Sequence, residues 1–475
     1  MKLQDLFPDY KLDENPEILG IKTNSKEVSE GDLFLCTSGL NADRHDFLND
    51  AISNGAVAAV VSKDIEASVP LIKVKDVNSI QNEIYMRFYD YPQNKLKLIA
   101  LTGTDGKTSV ATTIQHLLGS DKCGYVGTNG ASCKDYEAND VHNTTPDLGH
   151  LLKYFKAFVD HGCSYVALEA SSEAFYHHRL DDLTFQYAAI SNIHREHLNT
   201  HKTMENYVEC KKQVFRQNEG VSILNKDDEY YQEFKQVCKE VFTYGREKDN
   251  DLQIVNYETF ADHTNVTFKY LNKEYNFISP LLGDFNVENL AEAFSVCLNI
   301  GLSMDELINN LNGLQIKGRM NIVDEGQDFT VIVDYAHTPN GVERFLSFVN
   351  SLPHKRVLTV IGQAGERDKG KRKDVGEVVA RNSDIAYFTA EDPRNEEVIS
   401  IIDMMCENIS DLANYLKIED RGEAIKQAIF DAETNDIVVI LGKGGEDSMS
   451  IKNVDVPFND IDKAHQYLKE RLNRN

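Results

Sequence analysis

The chain has 475 residues, 41% of them hydrophobic, and its 76 acidic residues against 50 basic ones give a net charge of −26. That length suits about two to four domains with proper apolar cores. The acidity excludes nucleic acid or an anionic membrane as the main partner, since either needs a basic face.

No apolar run reaches the roughly 18 residues of a membrane span. The N-terminal stretch MKLQDLFPDY has no apolar signal core, and the eight cysteines form no C-x-x-C pair. A cytoplasmic protein with reduced thiols is therefore expected. Residues 1–94 read as a small α/β module. Thr23-Asn24-Ser25-Lys26 is a polar turn ahead of a first strand at 31–35. A helix opens at His45-Asp46-Phe47 and runs to about Asn54, and a second strand covers 56–61. Tyr91-Pro92-Gln93-Asn94 is a hinge.

From 95 to 315 strands (97–102, 164–169, 186–192, 221–225) alternate with helices, which predicts a mostly parallel sheet. Short alternating runs over 251–279 predict an antiparallel insert. Helices follow at Asn286–Asn299 and Met304–Leu311. From 316 to 475 a second alternation begins, with strands at 329–334, 356–361, 384–389 and 436–441, each followed by a helix. The expected fold class is α/β in three domains: a smaller α/β N-terminal domain, a central doubly wound P-loop domain, and a Rossmann-like C-terminal domain.

The stretch that organises the chain is Lys97–Ser109, KLIALTGTDGKTS. An apolar strand breaks into a glycine loop ending in Lys-Thr, and a helix follows from Val110 to Leu118. Glycines let backbone N–H groups turn toward an anion, and the helix N-terminus adds partial positive charge. Lys107 would reach the β/γ-phosphates and Thr108 would sit on Mg²⁺.

Five further polar stretches lie at or near predicted strand ends, where open α/β sheets bind ligands. They are His142-Asn143-Thr144-Thr145-Pro146; Glu169-Ala170-Ser171-Ser172; Asn192 to Leu198 with His197; the helix Thr203–Phe215 with Lys211 and Lys212 beside Cys210; and a group in the last domain. That last group comprises Gly318-Arg319-Met320, Asp334 to Pro339, Gly365 to Arg372, Glu391 to Glu396 and Gly442 to Asp447. Acidic and basic groups along one sheet edge suit a zwitterionic ligand.

The blocks T-G-T-D-G-K-T, G-T-N-G, N-T-T-P, E-A-S-S, E-H-L, G-D-F-N-V-E-N, G-R-M, D-Y-A-H-T-P, E-D-P-R and G-K-G-G-E-D run nearly end to end in this order. By them the chain resembles the Mur ligase family, and within it the members that add a third amino acid to UDP-N-acetylmuramoyl-L-alanyl-D-glutamate. The resemblance implies that 1–94 binds the UDP end, 95–315 binds ATP, and 316–475 binds the incoming amino acid. It implies Gly103, Thr104, Asp105, Gly106, Lys107, Thr108, Ser109, Asn286, Arg319, Asp334 and His337 at the nucleotide. Mg²⁺ falls to Thr108, Glu169, His197 and Lys211, the last as a lysine carbamylated by CO₂; Lys212 does not hold the matching place. Ser25 resembles a uridine-side contact. Asn143, Thr144, Thr145, Ser171 and Arg179 resemble muramoyl-dipeptide contacts, and Arg367, Glu391, Asp392, Arg394, Gly442 and Glu446 resemble the amino-acid pocket.

The implied partners are the UDP-muramoyl dipeptide and a free amino acid, with no nucleic acid or membrane, and a monomer is expected. The implied role is peptidoglycan synthesis, and through it cell shape, division and the cell cycle. In the implied mechanism ATP turns the D-glutamate side-chain carboxylate into an acyl phosphate, which the amine of the amino acid attacks.

The chain departs from the family pattern at Asp105 for Asn, at Glu173 in S-S-H-G, at Glu196 and Asn199 for the aspartates of D-H-L-D, and at Asn24-Ser25-Lys26 for Asp-Ser-Arg. Arg394 suits the distal carboxylate of diaminopimelate, whereas Asp392 suits the terminal amine of lysine, so both diamino acids stay open. Two other readings are a folylpolyglutamate synthase-like ligase and a nucleotide-binding regulator that has lost ligation.

Overall fold

The computed structural model describes residues 1–39, 42–138, 143–260, 262–409 and 414–473, so His142 of the N-T-T-P stretch lies outside the described residues. Residues 1–96, 146–164 and 179–183 form one compact unit; residues 97–145, 165–178 and 184–475 form a second.

In the first unit the strands Gly20–Lys22, Asp32–Leu35, Ala58–Val61 and Leu71–Lys73 form a four-stranded parallel sheet in that order. The Thr23–Lys26 turn therefore follows a strand rather than preceding the first one. Gly20–Lys22 is three residues long with a single buried side chain, too short for an alternation to register. The helices Val77–Phe88 and Leu148–Asp160 start at the side-chain caps Asp76 and Asp147. The hinge at 91–94 is a single 3₁₀ turn over Pro92–Asn94, with Tyr91 left-handed at φ 47°.

The second unit carries two large sheets. The first runs, in spatial order, 273–279, 264–270, 252–259, 240–245, 218–225, 185–190, 97–102, 165–169, 123–127, 130–133 and 136–138. Its centre is parallel, and the strands over 252–279 pair antiparallel, as the short alternating runs suggest. The strands at 123–138 and 240–245 were not anticipated.

Ile99 and Leu101 face a core shared with Val110, Ile114, Leu290 and Phe294, which belong to the helices Lys107–Leu118 and Asp284–Ile300. Thr102, of opposite parity, meets Lys211 of the helix Met204–Arg216. That helix therefore covers the other face, and the sheet is doubly wound.

The second sheet runs 321–322, 330–334, 437–441, 357–363, 385–390 and 414–417, parallel apart from its first strand. Helices Pro339–Ser351, Gly370–Asn382 and Val398–Met405 pack on one face, and Arg421–Asp431 and Asp460–Leu472 on the other. The fourth predicted strand leads not to a helix but to a hairpin, Ser448–Ile451 with Val454–Pro457, before the last helix.

Candidate active site

Parallel register decides which residues share an edge. Thr102 lies beside Ile190, and Leu101 beside Glu169. The phosphate loop, Glu169-Ala170-Ser171 and Ser191-Asn192 thus leave the sheet together. Gly103 and Gly106 have φ of 141° and 92°, and a Cβ on either would fall 2.0 Å from Ser191 Oγ or 2.4 Å from Asn289 Oδ1. Only glycine permits this turn and this packing.

Lys107 Nζ donates to the carbonyls of Gly103 and Thr104, each at 2.9 Å, and burial lowers its pKa. Thr104 Oγ1 lies 3.0 Å from the Tyr207 hydroxyl and accepts from His194 N at 2.8 Å. Asp105 N donates to Asn192 Oδ1 at 3.0 Å, and its carboxylate accepts from the Thr338 hydroxyl at 3.1 Å. Thr108 and Ser109 are buried at the start of the helix. Arg319 donates to Thr108 Oγ1 at 3.1 Å and stacks over the Tyr335 ring at 4.2 Å. Asn286 accepts from Asn289 at 3.1 Å, behind Gly106.

Glu169 is fully buried, and its carboxylate accepts from Tyr125 OH (2.6 Å), Thr128 N (3.1 Å) and Thr128 Oγ1 (3.2 Å). Thr128 reaches Thr144 at 3.3 Å, and Thr145 donates to Glu169 O at 2.7 Å. Ser171 N in turn donates to Thr145 Oγ1 at 3.0 Å, and Ser171 caps the helix Ser172–Tyr176. Asn143 is exposed beside this group. Ser25 and Arg179 belong to the first unit, where Ser25 lines a cavity of about 540 Å³ with Asn24, Lys26, Arg44, Phe47 and Asn54.

His197, left-handed at φ 56°, has its Nδ1 3.6 Å from Glu173 Oε1 and no hydrogen-bond partner for it among the described residues. Lys211 is 1% exposed. Its Nζ donates to Gly103 O at 2.7 Å and sits 4.7 Å over the Tyr207 ring. Burial first, then neighbouring Lys107, push its pKa well below the ordinary lysine value. Lys212 instead pairs with Glu233 at 2.7 Å.

Among the described residues no three His, Cys, Asp or Glu side chains converge on one cation position. Mg²⁺ at nucleotide sites uses one or two protein oxygens together with phosphate oxygens and water. A buried carboxylate, a hydroxyl and an unpartnered imidazole nitrogen around a phosphate-type loop fit that cation.

The second sheet repeats the logic, with Asp334, Gly442, Gln363 and Glu391 at the ends of neighbouring strands. Asp334 accepts from Met320 N and Ala336 N, each at 2.8 Å, and burial raises its pKa. His337 is held neutral, its pKa lowered to about 3 by burial and then by Lys371. Lys443 Nζ lies between Asp392 (2.8 Å) and Glu446 (2.7 Å), and Tyr335 OH donates to Glu446 at 3.1 Å. Glu391 Oε2 is buried without a hydrogen-bond partner among the described residues, and burial raises its pKa to about 7. Arg394 donates to Gly365 O at 3.3 Å and has no carboxylate partner among the described residues. Arg367 is turned toward Glu173, 3.1 Å away.

Sequence reasoning missed several supports of this site. Tyr125, Tyr207 and Tyr335 hold the site residues by their hydroxyls or rings. The fully buried pair Arg421–Asp460 also donates from its guanidinium to Ala390 O and Leu441 O, tying together the two strand ends that carry Glu391 and Gly442. Arg421 and Asp460 each open a helix, where a charged residue gives no sign of burial.

Three family models match in series: Mur ligase family, catalytic domain, over residues 17–89; Mur ligase middle domain over 101–297; and Mur ligase, glutamate ligase domain over 318–444. The chain is 34% identical over 470 residues, 96% of each chain, to UDP-N-acetylmuramoyl-L-alanyl-D-glutamate--2,6-diaminopimelate ligase of Geobacillus kaustophilus. The chain belongs to the Mur ligase family.

A solved UDP-N-acetylmuramoyl-L-alanyl-D-glutamate--2,6-diaminopimelate ligase superposes on this Mur ligase with a TM-score of 0.65 at 26% identity, covering 99% of both chains. A MurF ligase from Thermotoga maritima, solved in complex with ADP, shares the fold at TM-score 0.69 and 18% identity, over 96% of this chain and 98% of that one. The family makes this chain an ATP-dependent amide ligase. No helix among the described residues is long and apolar enough to cross a membrane.

Proposed function

We propose that this Mur ligase joins meso-diaminopimelate to UDP-N-acetylmuramoyl-L-alanyl-D-glutamate in peptidoglycan synthesis, with ATP as the energy source. The observation that carries the choice of amino acid is the state of two side chains. Asp392, which could have drawn the amine of lysine, accepts at its Oδ1 from Lys443 and from Ser450 N at 3.0 Å, so its charge is already countered. Arg394, which meets only the Gly365 carbonyl and no carboxylate among the described residues, can grip a carboxylate bidentately. The substrate named for the Geobacillus relative supports the same choice, and the ADP bound to the Thermotoga neighbour supports the nucleotide.

In this reading 1–94 binds the UDP end, 95–315 the nucleotide and 316–475 the amino acid. Lys107, Arg319 and the loop N–H groups neutralise and hold the phosphates, while Asn286, Asp334 and His337 frame the nucleotide. Asn143, Thr144, Thr145 and Ser171 belong to the dipeptide contacts in this reading, as do Ser25 and Arg179. Glu391, Gly442 and Glu446 line the amino-acid end.

Mg²⁺, held by Thr108, Glu169, His197 and Lys211, would supply positive charge at the transferred phosphate. Lys211 is the residue assigned to the carbamate: only a neutral amine attacks CO₂, and burial lowers the Lys211 pKa, which favours that form. Catalysis is otherwise positioning and charge neutralisation. The enzyme is a cytoplasmic monomer that contributes to cell shape, division and the cell cycle through the wall.

The test is a mass-spectrometric screen of amino acids with ATP, Mg²⁺ and the UDP-dipeptide. A diaminopimelate tripeptide is the expected product. Exclusive use of lysine overturns the choice of amino acid, and no ligation at all overturns the function.

A further inference from the structure

Three carboxylates depart from the family pattern in the 95–315 segment: Asp105, Glu173 and Glu196. Each takes a partner from the 316–475 segment. Thr338 donates to Asp105 at 3.1 Å, Arg367 lies 3.1 Å from Glu173, and Lys371 lies 3.0 Å from Glu196. A fourth contact has the opposite polarity, Arg195 Nε being 3.9 Å from Asp368 Oδ2.

The short stretch Arg367–Lys371 thus meets Glu173, Arg195 and Glu196 with alternating, complementary charge. The Glu196–Lys371 pair is buried, each side chain being 7% exposed. Glu173 faces three ways, to Arg367, to the Thr200 hydroxyl at 3.1 Å and to His197 Nδ1 at 3.6 Å. Glu196 precedes His197 directly. His197 is therefore held between groups whose own position depends on the 316–475 segment being docked.

We infer that Glu173 and Glu196 are positioning residues that couple docking of the amino-acid-binding segment to the orientation of His197 beside the phosphate loop. Removing one member of a buried pair strands the other charge, so docking is sharply sensitive to either partner, and reversing both restores complementarity. With the segment undocked, Glu173 loses Arg367 and Glu196 loses Lys371, the contacts that fix the two carboxylates beside His197. The inference rests on the proposed ligase reading for its kinetic consequence, but not for its structural one.

The test uses the full chain as Glu196→Lys, Lys371→Glu and the double variant, with a thermal midpoint recorded for each. Ligation kinetics are read beside the radius of gyration from small-angle scattering without ligands. Each single variant should enlarge the radius of gyration. It should also lower kcat/KM for the amino acid by roughly 30-fold or more while KM for ATP moves less than about 3-fold. The double should recover at least about 10-fold of that loss and the compact radius.

A double no better than the worse single, or singles as compact and active as wild type, overturns the coupling. Should the reversals fail to fold, Glu173→Gln removes only the charge facing Arg367 and His197. It should raise KM for the amino acid and lower kcat together, and unchanged kinetics overturn the inference. A wild type that ligates nothing defeats the proposed function, whereas the scattering comparison still decides the docking.

Discussion

The two sheet edges of the second unit handle charge in opposite ways. At the phosphate loop, Lys107 and Lys211 point their Nζ atoms at backbone carbonyls and have no carboxylate partner among the described residues. At the other edge, Lys443 is shared by Asp392 and Glu446, Arg421 is locked to Asp460, and Arg372 is locked to Glu396; Arg394 stands apart. In a chain of net charge −26, unpaired positive charge is a costly arrangement, tolerated where an anion will arrive. Lys107 at the phosphate loop and Arg394 at the amino-acid edge are such charges, which suits phosphate on one side and a carboxylate on the other in the proposed reading, whereas burial and Lys107 hold the Lys211 pKa well below the ordinary lysine value.

The contrast is broken most severely at Lys107. Lys107→Ala removes a charge from the loop itself, and ligation should fall by roughly 1000-fold or more. Activity near wild type would mean that the nucleotide is not held here.

Lys211 and Lys212 sharpen the comparison because they are adjacent in sequence and opposite in environment. Lys211→Ala should cost roughly 100-fold or more, with partial rescue by a small carboxylate if the carbamate is the working form. Lys212→Ala loses ion pairs with Glu233 and Glu209, away from the phosphate loop, and should stay within about 3-fold. Equal losses in both would remove the distinction, and a ¹³CO₂ carbamate signal absent from wild type would remove the carbamate.

At the other edge, Arg394→Ala should lower diaminopimelate use by roughly 10-fold or more, about 1.4 kcal/mol, and spare any residual lysine use. An equal fall for both amino acids would make Arg394 a general support rather than the discriminating charge.

Much of this was legible in the chain because strand, glycine loop and helix are contiguous, so Lys97–Ser109 announces its own geometry. The central strands, the antiparallel 252–279 insert and the alternation after 316 follow from apolar runs of ordinary length. What stayed hidden was short or distant. Gly20–Lys22 and the hairpin 448–457 are too brief or too polar to show a period. The pairs Glu173–Arg367 and Glu196–Lys371 join residues more than 170 positions apart. A substitution pattern can flag Glu173 and Glu196 as unusual, but only the docked sheets reveal the cations that answer them.

The smallest effect lies beneath the phosphate loop. Glu292, on the helix Asp284–Ile300, is 1% exposed, and its carboxyl lies 3.2 Å from the Tyr244 hydroxyl. Burial raises its pKa from 4.5 to about 8. At neutral pH it is therefore mostly protonated and gives Lys107 almost no countercharge, which keeps the loop positive. Between those two pKa values the folded chain binds a proton that the unfolded chain has released. This group's contribution to stability is complete below about pH 4.5 and is lost as pH rises toward 8. Glu292→Gln keeps the shape and an acceptor for the Tyr244 hydroxyl without the titration. Its stability relative to wild type should rise from pH 5 to pH 8 by roughly 1–3 kcal/mol, read from denaturant midpoints at both values. A pH-independent difference would mean that Glu292 ionises normally, and the phosphate loop would then carry less free charge than its geometry implies.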